Sequence, residues 1–142
     1  MTKSISITPL ILAAGSGSRS GLSYHKSLYR INGISIISSI IKKIDFLDVG
    51  STLVINQANE SHFKKELSSS TNDIEFIYQN APLGMGDAIL KFKDSKHYKN
   101  SDHILLSWGD LPFIKTSTFK DMVGLHIKNN NDFTFITADS AK

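Results

Sequence analysis

Cysteine is absent from all 142 residues. That removes disulfides, cysteine-based metal sites and thiol catalysis together, and is neutral on compartment. His25, His62, His97, His103 and His126 share no metal-ligand spacing. No apolar run approaches the roughly 20 residues that span a bilayer. Met1-Thr2-Lys3-Ser4 leads straight into an apolar stretch without the pattern of a signal peptide, so a cytoplasmic location and no membrane partner are expected. Charge is nearly balanced, sixteen basic residues against thirteen acidic, for a net +3. The lysines at 42-43, 64-65, 91-93 and 96-99 are interleaved only with Phe92, His97 and Tyr98, too few for an aromatic stacking platform. They read as solvated helix faces rather than a nucleic-acid groove, and no nucleic acid is expected as a partner. An anionic small molecule accounts for the sign equally well.

What is present is ordinary for a globular chain, 40% hydrophobic and 20% charged. The length suits one domain over residues 1–142, able to bury about two thirds of its unfolded surface in a single core. There is no internal repeat, low-complexity segment or linker. Ile5 to Leu12 is a near-continuous apolar run, the mark of a strand buried on both faces of a parallel sheet, although Pro9 cannot donate to a ladder. Ser27 to Ile31 reads as a short extended piece closed by the turn Asn32-Gly33. In Ile34 to Leu47 the β-branched residues favour a strand, but Ile37, Ile40, Ile41, Ile44 and Leu47 recur at three and four, and the period decides for helix.

Thr52 to Ile55 is the next strand, followed by a helix that Asn59 could cap, with Phe63 and Leu67 inward. Ile74 to Tyr78 is a strand ending at Gln79; the helix after it carries Met85, Ala88, Ile89 and Phe92 on one stripe. Ile104 to Ser107 is a strand ending at Trp108-Gly109-Asp110, with Trp108 either in the core, the favoured reading, or a lid on the site. Ser117 is placed to cap a helix with Phe119, Met122 and Val123 inward, and Phe133 to Ala138 is the expected last strand. This alternation predicts an α/β fold, a doubly wound, mostly parallel, Rossmann-like sheet. Such sheets bind ligands at the carboxyl ends of their strands, where strand order reverses.

Three separated stretches fall at those ends. Leu12-Ala13-Ala14-Gly15-Ser16-Gly17-Ser18-Arg19 follows the first strand. Its small residues let backbone N–H groups approach a phosphate, while Arg19 offers a planar fork of donors and Lys26 a compact charge. It is neither a Walker A loop nor the dinucleotide fingerprint, since Ser20 stands where a third glycine would fall. The same letters also suit an ordinary strand-to-helix turn. Asp110 could hold Mg²⁺ beside phosphate or be a turn residue in Gly-Asp-Leu-Pro. Gln79 can donate to and accept from a nucleobase edge, or serve a turn; Gly84 and Gly86 allow close backbone approach or begin a helix, with Asp87 in the first turn suiting the helix dipole.

These stretches resemble the nucleotidyltransferases that make nucleotide sugars, nearest to the N-acetylglucosamine-1-phosphate uridylyltransferases. The family opening Leu-Ala-Ala-Gly-x-Gly-x-Arg, then Pro-Lys, is matched by Leu12 to Arg19 and by Lys26. The family stretch Gln-x-x-x-Leu-Gly-x-Gly-x-Ala is matched by Gln79 to Ala88, and its aspartate after the fourth strand by Asp110. The resemblance implies that Leu12, Ala13, Ala14, Gly15, Gly17, Gln79, Gly84, Met85 and Gly109 bind the nucleotide. Arg19 and Lys26 would act on the triphosphate, and Asp110 would bind Mg²⁺, the implied cofactor. The implied reaction is attack of a sugar 1-phosphate on the α-phosphorus of UTP, with release of pyrophosphate. Such a reaction needs no protein nucleophile, and the chain has no obvious Ser-His arrangement.

The sequence departs from the family in four places. His25 stands where proline usually precedes the lysine, which predicts a less rigidly set Lys26. Met85 replaces threonine and Asp87 replaces histidine. The family also continues past the equivalent of Ala138 into segments that bind the sugar and complete the metal site. The 142 residues are therefore expected to be the N-terminal portion of a longer enzyme or a shortened relative, with the edge of the Phe133 to Ala138 strand open to self-association.

Overall fold

Ile7–Ala13 forms β1, buried along its whole length at the centre of a parallel sheet. The computed structural model describes residues 5–15 and 21–138. After β1 come a hairpin of β2 (Arg30–Ile31) and β3 (Ile34–Ser35), then helix α1 (Ile36–Ile44). There follow β4 (Ser51–Ile55), α2 (Glu60–Glu66), β5 (Ile74–Tyr78), α3 (Met85–Leu90), β6 (His103–Trp108) and α4 (Thr116–Lys128). The main sheet runs β5-β4-β1-β6 with every pair parallel. Chain order therefore moves from β1 outward through β4 to β5, then returns to the other side of β1, and this reversal lies between β1 and β6.

Alternation along the buried strands feeds two cores. Ile7, Ile11 and Ala13 of β1 join Leu53 and Ile55 of β4 against the isoleucines of α1, Phe63 of α2 and Phe119 of α4. Leu10, Leu12 and Val54 point the other way, onto Ala88 of α3 and Phe92 just beyond it. Helices thus cover both faces, the arrangement that strands apolar on both sides require. Pro9 is tolerated because pairing with β4 begins only at Leu10, so at Pro9 the strand is flanked by β6 alone.

The period of Ile34 to Leu47 prevails over its β propensity. Ile36, Ile37, Ile40, Ile41 and Ile44 are all buried on one side of α1, and the Ser35 hydroxyl accepts from the Ser38 N–H at its start. Only Ile34–Ser35 is extended, paired across a turn in which Asn32 and Gly33 both have positive φ, 51° and 82°.

Four expectations are corrected. Asn59 caps nothing: the Asn56 side chain accepts from the Ala58 N–H one short 3₁₀ turn earlier, and Asn59 is already helical. Ser117 lies inside α4, whose preceding residue is Lys115 and makes no side-chain cap. Trp108 is 44% exposed at the end of β6 rather than in the core. Phe133 to Ala138 forms no strand, and Phe133 and Phe135 are exposed. The Thr134 hydroxyl hydrogen-bonds His126 of α4 at 2.9 Å and accepts from the Asn131 amide at 3.1 Å, so this segment is tied to α4 instead of the edge of β6. The expectation of self-association rested on that strand. Among the described residues no helix is long and apolar enough to cross a membrane.

Candidate functional site

The carboxyl ends of β5, β4, β1 and β6 make one rim because all four strands run the same way. Backbone bonds continue past the strand ends and lock the rim together. The Gln79 N–H donates to the Ile55 carbonyl at 2.9 Å and the Gly109 N–H to the Leu12 carbonyl at 2.8 Å. Three inter-strand steps separate β5 from β6, about 14 Å at roughly 4.8 Å per step. Gln79 and Asp110 therefore stand at opposite ends of one lip, with Ala13, Ala14 and Gly15 between them.

At the β6 end, Gly109 fits against β1 only because it lacks a side chain. A Cβ there would lie 2.9 Å from Ala13 Cβ, 3.0 Å from Ser27 Oγ and 3.2 Å from the Leu12 carbonyl. The next residue, Asp110, forms an ion pair with Lys26, both side chains remaining partly exposed. Lys26 opens a single 3₁₀ turn, Lys26–Leu28. The Lys43 ammonium, from α1, donates to the Pro112 carbonyl and ties down the chain after Asp110.

His25 holds the lysine in place, and sequence reasoning missed it as a determinant of the site. Its φ of −62° is the value a proline would impose, so the backbone takes a proline-compatible conformation without the ring. The side chain is 6% exposed and packs on Phe63 with ring centroids 5.3 Å apart. The Ser27 N–H donates to Nδ1 at 3.3 Å, which makes Nδ1 an acceptor and leaves Nε2–H to donate to the Gly15 carbonyl at 2.9 Å. One neutral imidazole thus fastens the start of the glycine-rich loop to the segment presenting Lys26. Burial pushes its pKa below the ordinary 6.5, with the Gly15 bond opposing that shift.

At the β5 end, Gln79 is buried and its amide nitrogen donates twice, to the Gly84 carbonyl at 2.9 Å and to Asp87 Oδ2 at 2.8 Å. Gly84 has a φ of 89°, a conformation that favours glycine, and α3 begins at the next residue, the half-exposed Met85. The loop is braced by Asn80, whose side-chain oxygen accepts from the Gln57 N–H at 3.0 Å and whose carbonyl accepts from the Asn56 amide at 3.3 Å. Asn80 and Asn56 carried no signal in the sequence beyond their turn chemistry.

The structure therefore places Leu12, Ala13, Ala14, Gly15, Lys26, Gly109 and Asp110 around the reversal point, and Gln79, Gly84 and Met85 at the far end of the same rim. Gly17 and Arg19 lie outside the described residues. A separate hollow of about 510 Å³, bordered by Tyr24, Arg30, His62, Lys65 and Glu66, contains none of the site residues expected from the sequence. Among the described residues no three His, Asp or Glu side chains gather into a metal cluster.

A model of the MobA-like NTP transferase domain matches residues 9–142, with all of this rim inside it. The chain belongs to that family. Relatives of the MobA-like NTP transferase domain include the bifunctional protein GlmU of Buchnera aphidicola subsp. Schizaphis graminum, 30% identical over 132 residues, 93% of this chain but 27% of the relative. A probable UDP-N-acetylglucosamine pyrophosphorylase of Acanthamoeba polyphaga mimivirus is 32% identical over 123 residues, 85% of this chain and 48% of the relative. The chain thus spans about a quarter to a half of these curated relatives. Among solved structures, a nucleotidyl transferase from Methanothermobacter thermautotroptrophicus superposes with a TM-score of 0.64 at 22% identity, over 83% of this chain and 56% of that one. A 4-diphosphocytidyl-2C-methyl-D-erythritol synthase from Anaerococcus prevotii superposes with a TM-score of 0.68 at 19% identity, over 87% and 52%. At those identities the likeness is one of fold.

Proposed function

We propose that the rim binds a nucleoside triphosphate, UTP, with its base at the Gln79 end and its phosphates toward Lys26, and transfers UMP to a sugar 1-phosphate. The observation that carries this reading is the meeting of Lys26 and Asp110 at the point where strand order reverses. A cation for phosphate and a carboxylate for a metal stand together where an α/β sheet takes its ligands. The name of the mimivirus relative, a probable UDP-N-acetylglucosamine pyrophosphorylase, favours uridylyl transfer to a sugar phosphate.

Among the described residues Asp110 belongs to no cluster of three His, Asp or Glu, which suits Mg²⁺, an ion that takes one or two carboxylates and fills its other positions with water and substrate phosphates. Asp110 is the described residue that would hold it. When bound, such an ion neutralises charge on the triphosphate. The chain's own part is positioning. Lys26, fixed by His25, holds phosphate oxygens; the backbone from Ala13 to Gly15 lies along the nucleotide; Gln79 fixes the base. Arg19 adds a second cation to the triphosphate. An oxygen of the sugar 1-phosphate attacks the α-phosphorus, the bond from that phosphorus to the oxygen bridging to the β-phosphate breaks, and pyrophosphate leaves with its electron pair. Transfer of this kind is achieved by alignment and charge neutralisation.

Incubation with UTP, Mg²⁺ and a panel of sugar 1-phosphates tests it: pyrophosphate release from at least one pairing is expected, and no release from any refutes transfer. A second reading, a module that holds the nucleotide without turnover, predicts UTP binding by calorimetry with no product, and substantial catalysis by this chain eliminates it.

A further inference from the structure

Both hydrogens of the Gln79 amide are already committed within the protein. Nε2 donates to the Gly84 carbonyl and to the Asp87 carboxylate, two groups that can only accept. The amide therefore has one admissible orientation, because turning it over would set its oxygen against two other oxygens. Among the described residues its Oε1 accepts no bond, and it is not among the buried polar atoms left without a partner, although the residue as a whole is 7% exposed. Gln79 does not offer a ligand the donor-and-acceptor pair that glutamine ordinarily offers; it offers an acceptor alone.

We propose that Asp87 is a positioning residue that locks Gln79 as a pure hydrogen-bond acceptor, and so selects a nucleobase whose facing ring nitrogen carries a hydrogen. Uracil N3–H meets that acceptor with a donor. Cytosine brings a bare ring-nitrogen lone pair to the same place, leaving two acceptors opposed. A site built around one fixed hydrogen bond rejects the partner that cannot complete it far more strongly than an apolar pocket rejects a change of shape. The inference rests on the reading of the rim as a nucleotide site with its base at Gln79. It goes further in assigning selectivity to a residue that touches no ligand. Asp87 also stands where the resembling family usually has histidine, a side chain that can donate as well as accept.

The experiment is equilibrium binding of UTP and CTP, each with Mg²⁺, to the full chain and to four variants, Asp87→Ala, Asp87→Asn, Gln79→Ala and the double Gln79→Ala/Asp87→Ala. The wild type should prefer UTP by about tenfold or more, the scale of one hydrogen bond gained against one acceptor left opposed. Asp87→Ala should narrow that ratio by about threefold or more, since the amide is then held by the Gly84 carbonyl alone. Asp87→Asn, which retains an oxygen able to accept, should keep the wild-type ratio. In a Gln79→Ala background, Asp87→Ala should leave the ratio unaltered, because its action passes through the missing amide. Equal weakening of both nucleotides by Asp87→Ala, with the ratio preserved, would mean that Asp87 only supports α3, and would overturn the inference while sparing the nucleotide site. Binding of neither nucleotide by the wild type would overturn the site itself and the inference with it.

Discussion

Lys26 and Asp110 form an ion pair across the reversal of strand order, joining the segment behind the glycine-rich loop to the end of β6. Each is the other's counter-charge in the protein alone, and each has a different partner in the proposed complex, phosphate for the lysine and a cation for the aspartate.

Because both side chains are substantially solvated, the pair contributes little to folding, within about 1 kcal/mol. Lys26→Ala should unfold in denaturant at nearly the wild-type midpoint, yet bind UTP with Mg²⁺ about ten- to a hundredfold more weakly, the scale of a lost charged hydrogen bond. Asp110→Ala should likewise fold and lose the dependence of binding on Mg²⁺. A large stability loss with unaltered nucleotide affinity would make the pair a structural device.

His25 makes stability depend on pH. Its folded-state pKa lies below the ordinary 6.5 because the ring is buried, so the unfolded chain takes up the proton first. Its contribution is complete above about pH 6.5 and is lost as the pH falls from there toward the folded-state value. His25→Ala should cost about 1 to 3 kcal/mol, through the unsatisfied Gly15 and Ser27 groups and the space left beside Phe63, and should flatten that part of the profile. Denaturant melts between pH 7.5 and 5 on the two proteins test it, and parallel curves would contradict it.

Gly109→Ala adds a methyl within 2.9 Å of Ala13 Cβ and 3.0 Å of Ser27 Oγ. Overpacking of this kind costs about 1 to 3 kcal/mol. The displaced neighbours are the end of β1 and the residue after Lys26, so nucleotide affinity should fall together with thermal stability. Gly86→Ala, which meets nothing within 4 Å, is the contrasting substitution and should leave the fold unaffected.

The parts of the fold legible in sequence were those set by local pattern. The isoleucine spacing of α1, the apolar run of β1 and the Asn32-Gly33 turn each carry their geometry within a few residues. The rim was legible because parallel strands necessarily share an end, and the glycine-containing stretches all fell there. What could not be read depends on contacts between distant segments. His25 looked like a weakened proline because nothing nearby shows that Gly15 and Phe63 close around it. Asp87 looked like a helix-dipole residue because Gln79 reaches it only once the loop after β5 has folded. Trp108 was placed inside on hydrophobicity, which describes residue types on average and leaves many apolar side chains in water.

The most direct test of the central claim is nuclear magnetic resonance of the isotopically labelled chain titrated with UTP and Mg²⁺. The account predicts shifts at Ala14, Gly15, Gln79, Gly84, Gly109 and Asp110, running from one end of the rim to the other. Shifts confined to Tyr24, His62 and Lys65 around the separate hollow, with the rim silent, would contradict it.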